Sequence, residues 1–170
     1  MIGSYRCHLT KAHFRLYEQR VLDYIAAGKD AGAKVVTGGE RLGDKGYFIQ
    51  PTIFTDIKHD MKIVREEIFG PVAVVSKFKD EAEIIDIAND TTFGLGANIF
   101  TTNLVRATRL SHAIESGSVW VNMPSITDSR VPFGGVKQSG QGKELGEEAL
   151  EAYVACKWRR VYPMLIHTSS

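Results

Sequence analysis

The chain has 170 residues, of which 44% are hydrophobic and 24% charged, ordinary values for a folded globular protein and too apolar for a disordered one. Its 21 Lys and Arg against 20 Asp and Glu leave a formal charge of +1, which supplies no electrostatic footprint for nucleic acid or for an anionic membrane. No apolar run approaches the roughly 20 residues that a membrane span needs, and the segment Met1–Gln19 carries Arg6, His8, Lys11 and Arg15 without the apolar stretch of a secretory leader.

The elements follow in order. Thr10 is placed to cap a helix running to about Ala31, with Phe14, Tyr17, Val21 and Ile25 on one stripe and Gly32 at its left-handed end. Lys34–Thr37 is a short strand closed by Gly38-Gly39. Tyr47–Phe54 is a second β segment, and Pro51 assigns it to an edge or bulge. Met61–Glu66 forms a helical turn. The continuous apolar run in Pro71–Phe78 suits a strand buried on both faces. Asp80 and Glu83 have capping-box spacing and open a helix whose inner face is Ile84, Ile87 and Ala88.

A strand near Ala97–Thr101 comes next. Asn103 then caps a helix with Leu104, Ala107, Leu110 and Ile114 at helical spacing, ended by Gly117. Val119–Val121 forms another buried strand, Met123–Gly142 a long loop, Lys143–Ala152 a helix, and Tyr153–Val161 an alternating strand. Strand, helix, strand, helix, strand across residues 71–122 predicts a parallel sheet, with the site beyond the carboxyl ends of its strands, where Asn122 and the glycine-rich loop lie.

Two stretches could carry chemistry. In Glu66-Glu67-Ile68-Phe69-Gly70-Pro71-Val72 the carboxylate pair reads either as a solvated helix end or as an acceptor for two adjacent hydroxyls, as on a ribose, and only one of the two can readily aim at such a ligand. In Pro132-Phe133-Gly134-Gly135-Val136-Lys137-Gln138-Ser139-Gly140-Gln141-Gly142 the glycines permit positive φ and close backbone approach. The order matches neither a P-loop nor a dinucleotide fingerprint, so tight structural turns are the favoured use.

Cys7 and Cys156 belong to no paired ligand motif, which argues against a zinc site or disulfide framework and for a reducing compartment. Arg6 and His8 could depress the Cys7 pKa, yet without a matched base it reads as incidental. His13, His59 and His112 have no partner at metal spacing. The expected compartment is the cytoplasm, with the mitochondrion as the alternative.

These stretches, together with Gly46-Tyr47-Phe48-Ile49-Gln50-Pro51-Thr52, Asn89-Asp90-Thr91-Thr92-Phe93-Gly94-Leu95 and Gly117-Ser118-Val119-Trp120-Val121-Asn122, resemble the aldehyde dehydrogenase superfamily from about Val21 to Trp158. The order and spacing are those of its C-terminal part. The resemblance implies an α/β fold, a partial parallel-sheet catalytic domain with a C-terminal oligomerisation strand. Residues 1–20 would be a divergent lead, 21–152 part of the catalytic domain, and 153–170 the oligomerisation strand and tail.

It implies NAD or NADP as cofactor and a small-molecule aldehyde as substrate. A cysteine thiolate attacks the aldehyde, hydride passes to the nicotinamide, and water activated by a glutamate releases the acid. By position Glu67 would hold the nicotinamide ribose hydroxyls, Phe69 would pack beside the nicotinamide, and Phe133 would line the substrate tunnel, with Thr127 contributing to its shape. Tyr153–Val161 would join a neighbouring subunit's sheet in a homo- or hetero-oligomer.

The family's Gly-Gln-x-Cys nucleophile segment, its general-base glutamate and its dinucleotide-binding domain have no match in these residues, so no catalytic residue is assigned and NAD(P) is expected to bind poorly to this chain alone. The first reading is therefore an incomplete catalytic domain. The alternatives are a non-catalytic interaction module that joins full-length subunits, or a truncated gene model. Apolar faces of Val72–Val75 and Val119–Val121 are expected to be left partly uncovered.

Overall fold

A computed structural model describes residues 11–123 and 125–154. Cys7, Cys156 and nearly all of the expected strand Tyr153–Val161 lie outside them. The described chain forms α1 (Lys11–Asp30), β1 (Lys34–Thr37), β2 (Thr52–Thr55), α2 (Lys62–Arg65), β3 (Val72–Val74), α3 (Glu81–Asn89), β4 (Gly96–Ile99), α4 (Leu104–Ala113) and β5 (Ser118–Val121), followed by 3₁₀ turns at Lys137–Ser139 and Glu148–Ala152. Two compact units divide between Ile87 and Ala88.

In the first unit the sheet order is β1-β2-β3, with β1 antiparallel and β3 parallel to β2. The β2 register alternates cleanly: Thr52 and Phe54 are buried, while Ile53 is exposed. The buried Thr52 hydroxyl is saturated, accepting from the Gly39 amide at 2.8 Å and donating to the Gln50 carbonyl at 2.8 Å. Around Phe54 cluster Val21, Tyr24 and Ile25 of α1, Ala33, Met61, Ile63 and Ile68.

Helix α1 can lie this close because Gly28 has no side chain; a Cβ there would stand 3.0 Å from both Phe54 and Ile63. Only the C-terminal half of the expected α1 stripe is buried. Phe14 and Tyr17 are 42% and 49% exposed, and Phe14 stacks on Tyr47 with centroids 5.9 Å apart. Gly32 ends α1 at φ 89°, as its position suggests.

Three expectations about the strands need correction. The segment Tyr47–Phe54 is not an edge strand: the regular strand starts at Thr52 and is the middle one of three. Pro51 sits just before it, so the first ladder bond, from the Thr52 amide to the Pro71 carbonyl, needs nothing from the proline nitrogen. Strand β3 is shorter than expected and not buried on both faces: Val72 and Val74 are half-buried, Ala73 is exposed, and Val75 lies beyond the strand and is 49% exposed. The single parallel sheet across residues 71–122 is, among the described residues, two sheets, because β3 pairs with β2 while β4 pairs in parallel with β5.

Helix α3 is capped much as its sequence suggests. Asp80 Oδ1 accepts from the Glu83 amide at 3.0 Å, and Glu83 Oε2 accepts in return from the Lys79 amide, one residue before the expected partner.

In the second unit Asn103 caps α4 by accepting from the Arg106 amide at 2.9 Å. Ala107 is buried, Leu110 and Ile114 half-buried, and Leu104 is exposed at the helix start. Strand β5 is half-buried throughout rather than buried. The expected helix Lys143–Ala152 does not form. Leu145 and Gly146 take φ of 65° and 63°, which an α-helix cannot absorb, and only the short 3₁₀ turn Glu148–Ala152 follows. Tyr153, at the end of that turn, is not in a strand.

Phe54→Ala should destabilise the chain by about 3–5 kcal/mol in urea unfolding, since the vacated space is enclosed on all sides. Gly117→Ala should cost about 1–3 kcal/mol or more, because its new methyl would meet the backbone carbonyl of Gly134, which has no rotamer to escape into. A thermal scan checks both.

Candidate functional site

Glu67 and Phe69 lie in the turn between α2 and β3, and the side of α1 nearest that turn determines how they are presented. Tyr24, 8% exposed, donates its hydroxyl to Glu66 Oε2 at 2.8 Å. Arg20, one helical turn earlier, donates from Nη2 to the Glu67 backbone carbonyl at 3.0 Å. Gly70 fits against Val21, where a Cβ would come within 2.7 Å of a Val21 methyl. One carboxylate of the pair is thereby engaged by the protein. Glu67 itself is exposed, and Arg20 holds it by its backbone carbonyl.

Phe69 sits at φ 54°, costly for a bulky residue, and the residue is 71% exposed. Ile68 between them is 8% exposed and anchors the turn in the core. Phe69 and Gly70 also border a cavity of about 300 Å³ with Phe14, Tyr17, Tyr47 and Phe48.

Phe133 belongs to the second unit. Its amide and carbonyl pair with those of Glu144 at 2.6 and 2.7 Å, closing the glycine-rich loop at its base. Its ring packs on Trp120 at a centroid distance of 6.3 Å. The two aromatics line a cavity of about 400 Å³ together with Met123, Ile126, Thr127 and Val131. The Trp120 indole N–H donates to the Ile126 carbonyl at 2.8 Å, tying one wall to the other. At this cavity's rim Arg130 binds Asp128 through both nitrogens, with N–O distances of 2.9 and 2.6 Å. That pairing, aided by the Arg130 amide, holds the Asp128 carboxyl below the ordinary carboxylate range and raises the guanidinium in turn.

The glycines of the loop are structural. A Cβ on Gly134 or Gly135 would stand 2.6 Å from Gly142 or Ser139, and Gly140 and Gly142 take φ of 117° and 80°. Lys143 Nζ donates to the carbonyls of Gly134 and Gly135 at 3.2 and 3.1 Å. The amides of Val136, Gln138 and Ser139 all donate to protein carbonyls. With those amides engaged, this part of the loop is not a phosphate cradle.

Asn122, at the carboxyl end of β5, is likewise structural: its side chain accepts from the Thr101 amide at 2.9 Å and donates to the Thr101 carbonyl at 2.8 Å. Lys137 Nζ reaches Glu115 at 2.6 Å and the carbonyls of Asn89 and Thr91. His112 Nδ1 lies 2.7 Å from the Thr108 carbonyl. Among the described residues no three His, Cys, Asp or Glu side chains are grouped to hold a metal ion, and no helix is long and apolar enough to cross a membrane.

Sequence reasoning singled out Glu67, Phe69, Phe133 and Thr127 and missed Tyr24, Arg20 and Trp120. A signal was present in Tyr24, an aromatic with a polar tip three positions after Val21 on an apolar stripe. An acceptor-only carboxylate and an exposed phenylalanine two residues on suit a ribose diol and the planar base attached to it.

Comparison with known proteins places the chain in a family. The sequence profile described as the aldehyde dehydrogenase family matches residues 15–159. An aldehyde dehydrogenase of Emericella nidulans is 54% identical over 143 residues, 84% of this chain and 29% of that protein. A mitochondrial aldehyde dehydrogenase of Leishmania tarentolae is 52% identical over 139 residues, 82% of this chain and 28% of that protein. The NAD+ complex of the Bacillus cereus aldehyde dehydrogenase superposes with a TM-score of 0.80 at 47% identity, covering 82% of this chain and 28% of that one. The chain thus spans under a third of the length of the relatives it matches. On the matched residues, the identity and the superposition together, it belongs to the aldehyde dehydrogenase family.

Proposed function

We propose that the chain is the C-terminal part of the catalytic domain of an NAD(P)-dependent aldehyde dehydrogenase. It carries the walls that orient cofactor and aldehyde, and the reactive thiol lies outside these residues. The observation that carries the reading is the division of labour in the glutamate pair: Glu66 is engaged by Tyr24 while Glu67 stays exposed near the exposed Phe69.

The cofactor, when bound, accepts the hydride that the aldehyde loses. Glu67 would accept hydrogen bonds from the two ribose hydroxyls and so fix the sugar's rotation. Phe69 would limit the nicotinamide on one side. Hydride transfer tolerates little misplacement, so orientation is where these residues act. Phe133, braced by Trp120, would present an apolar wall to the aldehyde chain, with Thr127 at the same cavity. The segment Tyr153–Val161 would serve as the strand that joins a neighbouring subunit, in keeping with the alternation of Val154, Cys156 and Trp158 against Lys157 and Arg159.

Two measurements test this reading. Titration of the ¹⁵N-labelled chain with nicotinamide mononucleotide should perturb the Ile68, Phe69 and Gly70 amides. Glu67→Gln should weaken that binding by about tenfold, the scale of a charge-assisted hydrogen bond. Perturbations centred elsewhere, or unchanged in Glu67→Gln, would reject the assignment. With NAD and an aldehyde the chain should produce no NADH, and production that persists in Cys7→Ala would show that the nucleophile had been misjudged.

A further inference from the structure

We propose that Tyr24, with Arg20, is a positioning residue for Glu67. The two hold the 66–70 turn through the Glu66 carboxylate and the Glu67 backbone carbonyl, and so fix the direction in which the Glu67 side chain leaves it. The inference rests on the assignment of Glu67 to the ribose.

Three contacts from α1 meet the turn within five residues. Tyr24 takes Glu66 Oε2 at 2.8 Å, Arg20 takes the Glu67 carbonyl at 3.0 Å, and Val21 receives Gly70. The contacts are side chain to side chain, side chain to backbone and packing, so together they limit both rotation and translation of the turn.

Tyr24 occupies Oε2 of Glu66 and so restricts the rotation of that side chain, while the Arg20 bond to the neighbouring Glu67 is to its backbone carbonyl and does not restrain its side chain in the same way. The Tyr24 bond also helps retain Phe69 at φ 54°, a conformation that a Phe leaves readily unless its neighbours are fixed.

The Tyr24 ring is itself confined. It is 8% exposed in the core, with Lys62 Nζ 4.9 Å and the Arg20 guanidinium 5.7 Å from its centroid. A phenylalanine would fill the same space, so the hydroxyl has no packing role. Its function is the bond to Glu66.

The test compares Tyr24→Phe and Glu66→Gln with the unaltered full chain. Glu66→Gln keeps an oxygen that can accept from Tyr24, so it retains the bond while losing the charge. Tyr24→Phe should leave the thermal midpoint close to that of the unaltered chain. It should raise hydrogen exchange at the Ile68, Phe69 and Gly70 amides by about tenfold, average the Phe69 backbone coupling constant, and weaken nicotinamide mononucleotide binding by about tenfold, the scale of one lost hydrogen bond to a charged group. Glu66→Gln should match the unaltered chain in all three.

Tyr24→Phe that leaves exchange, coupling and binding unmoved would overturn the positioning role alone. Glu66→Gln that weakens binding while exchange stays slow would overturn it too, because Glu66 would then be touching the ligand itself. An unaltered chain that does not bind the mononucleotide, with its turn nonetheless loosened by Tyr24→Phe, would instead overturn the ribose assignment on which the inference stands.

Discussion

The first unit depends on how closely α1 can approach the chain beneath it. Two glycines set that distance. Gly28 lets the helix rest on Phe54 and Ile63, and Gly70 lets the turn before β3 rest on Val21. Either position filled by a methyl would force apart groups that are already in contact. The cost would fall on the turn that carries Glu67 as much as on the core. The apolar core and the presentation of the acidic pair are therefore one packing problem: Val21, Tyr24 and Ile68 belong to both.

The second unit is held in a different way. It buries few side chains fully, and Ile99 and Ala107 are its buried apolar residues among those described. Much of its order comes from saturated backbone. Lys137 takes up two carbonyls and a carboxylate, Lys143 takes up two glycine carbonyls, and the Phe133–Glu144 bridge closes the loop between them. Such a unit gains its definition from directional bonds to cations that would otherwise be solvated. The loop is thus bonded at several points without a deep apolar core.

Element positions were legible in the sequence because local chemistry decides them. The α1 stop at Gly32, the Asp80–Glu83 cap and the Asn103 cap involve residues within four positions of one another. Burial was less legible. Phe14, Tyr17, Leu104 and Val75 have the spacing of core residues and are exposed, because periodicity shows which face is apolar and not what covers it. Lys143–Ala152 has a helical composition, and positive φ at Leu145 and Gly146 overrides it. The division of the strands into two sheets was hidden for a similar reason: strand neighbours are a long-range choice, and β3 finds β2 at its side. At the site, the motif residues were found by resemblance. The sequence marks Tyr24 as an aromatic with a polar tip on an apolar stripe, but its partner Glu66 lies 42 positions away and has no local signature.

Asn122 carries a consequence for the ageing of the protein. Its amide group reproduces a peptide at the end of the β4–β5 ladder, giving one hydrogen and taking one from the Thr101 backbone. Spontaneous deamidation would exchange the giving nitrogen for an oxygen and leave two acceptors facing each other across that final rung. That exposed rung would be lost while the Asn122 backbone amide keeps its bond to the Ile99 carbonyl, so the ladder would shorten by its side-chain extension alone.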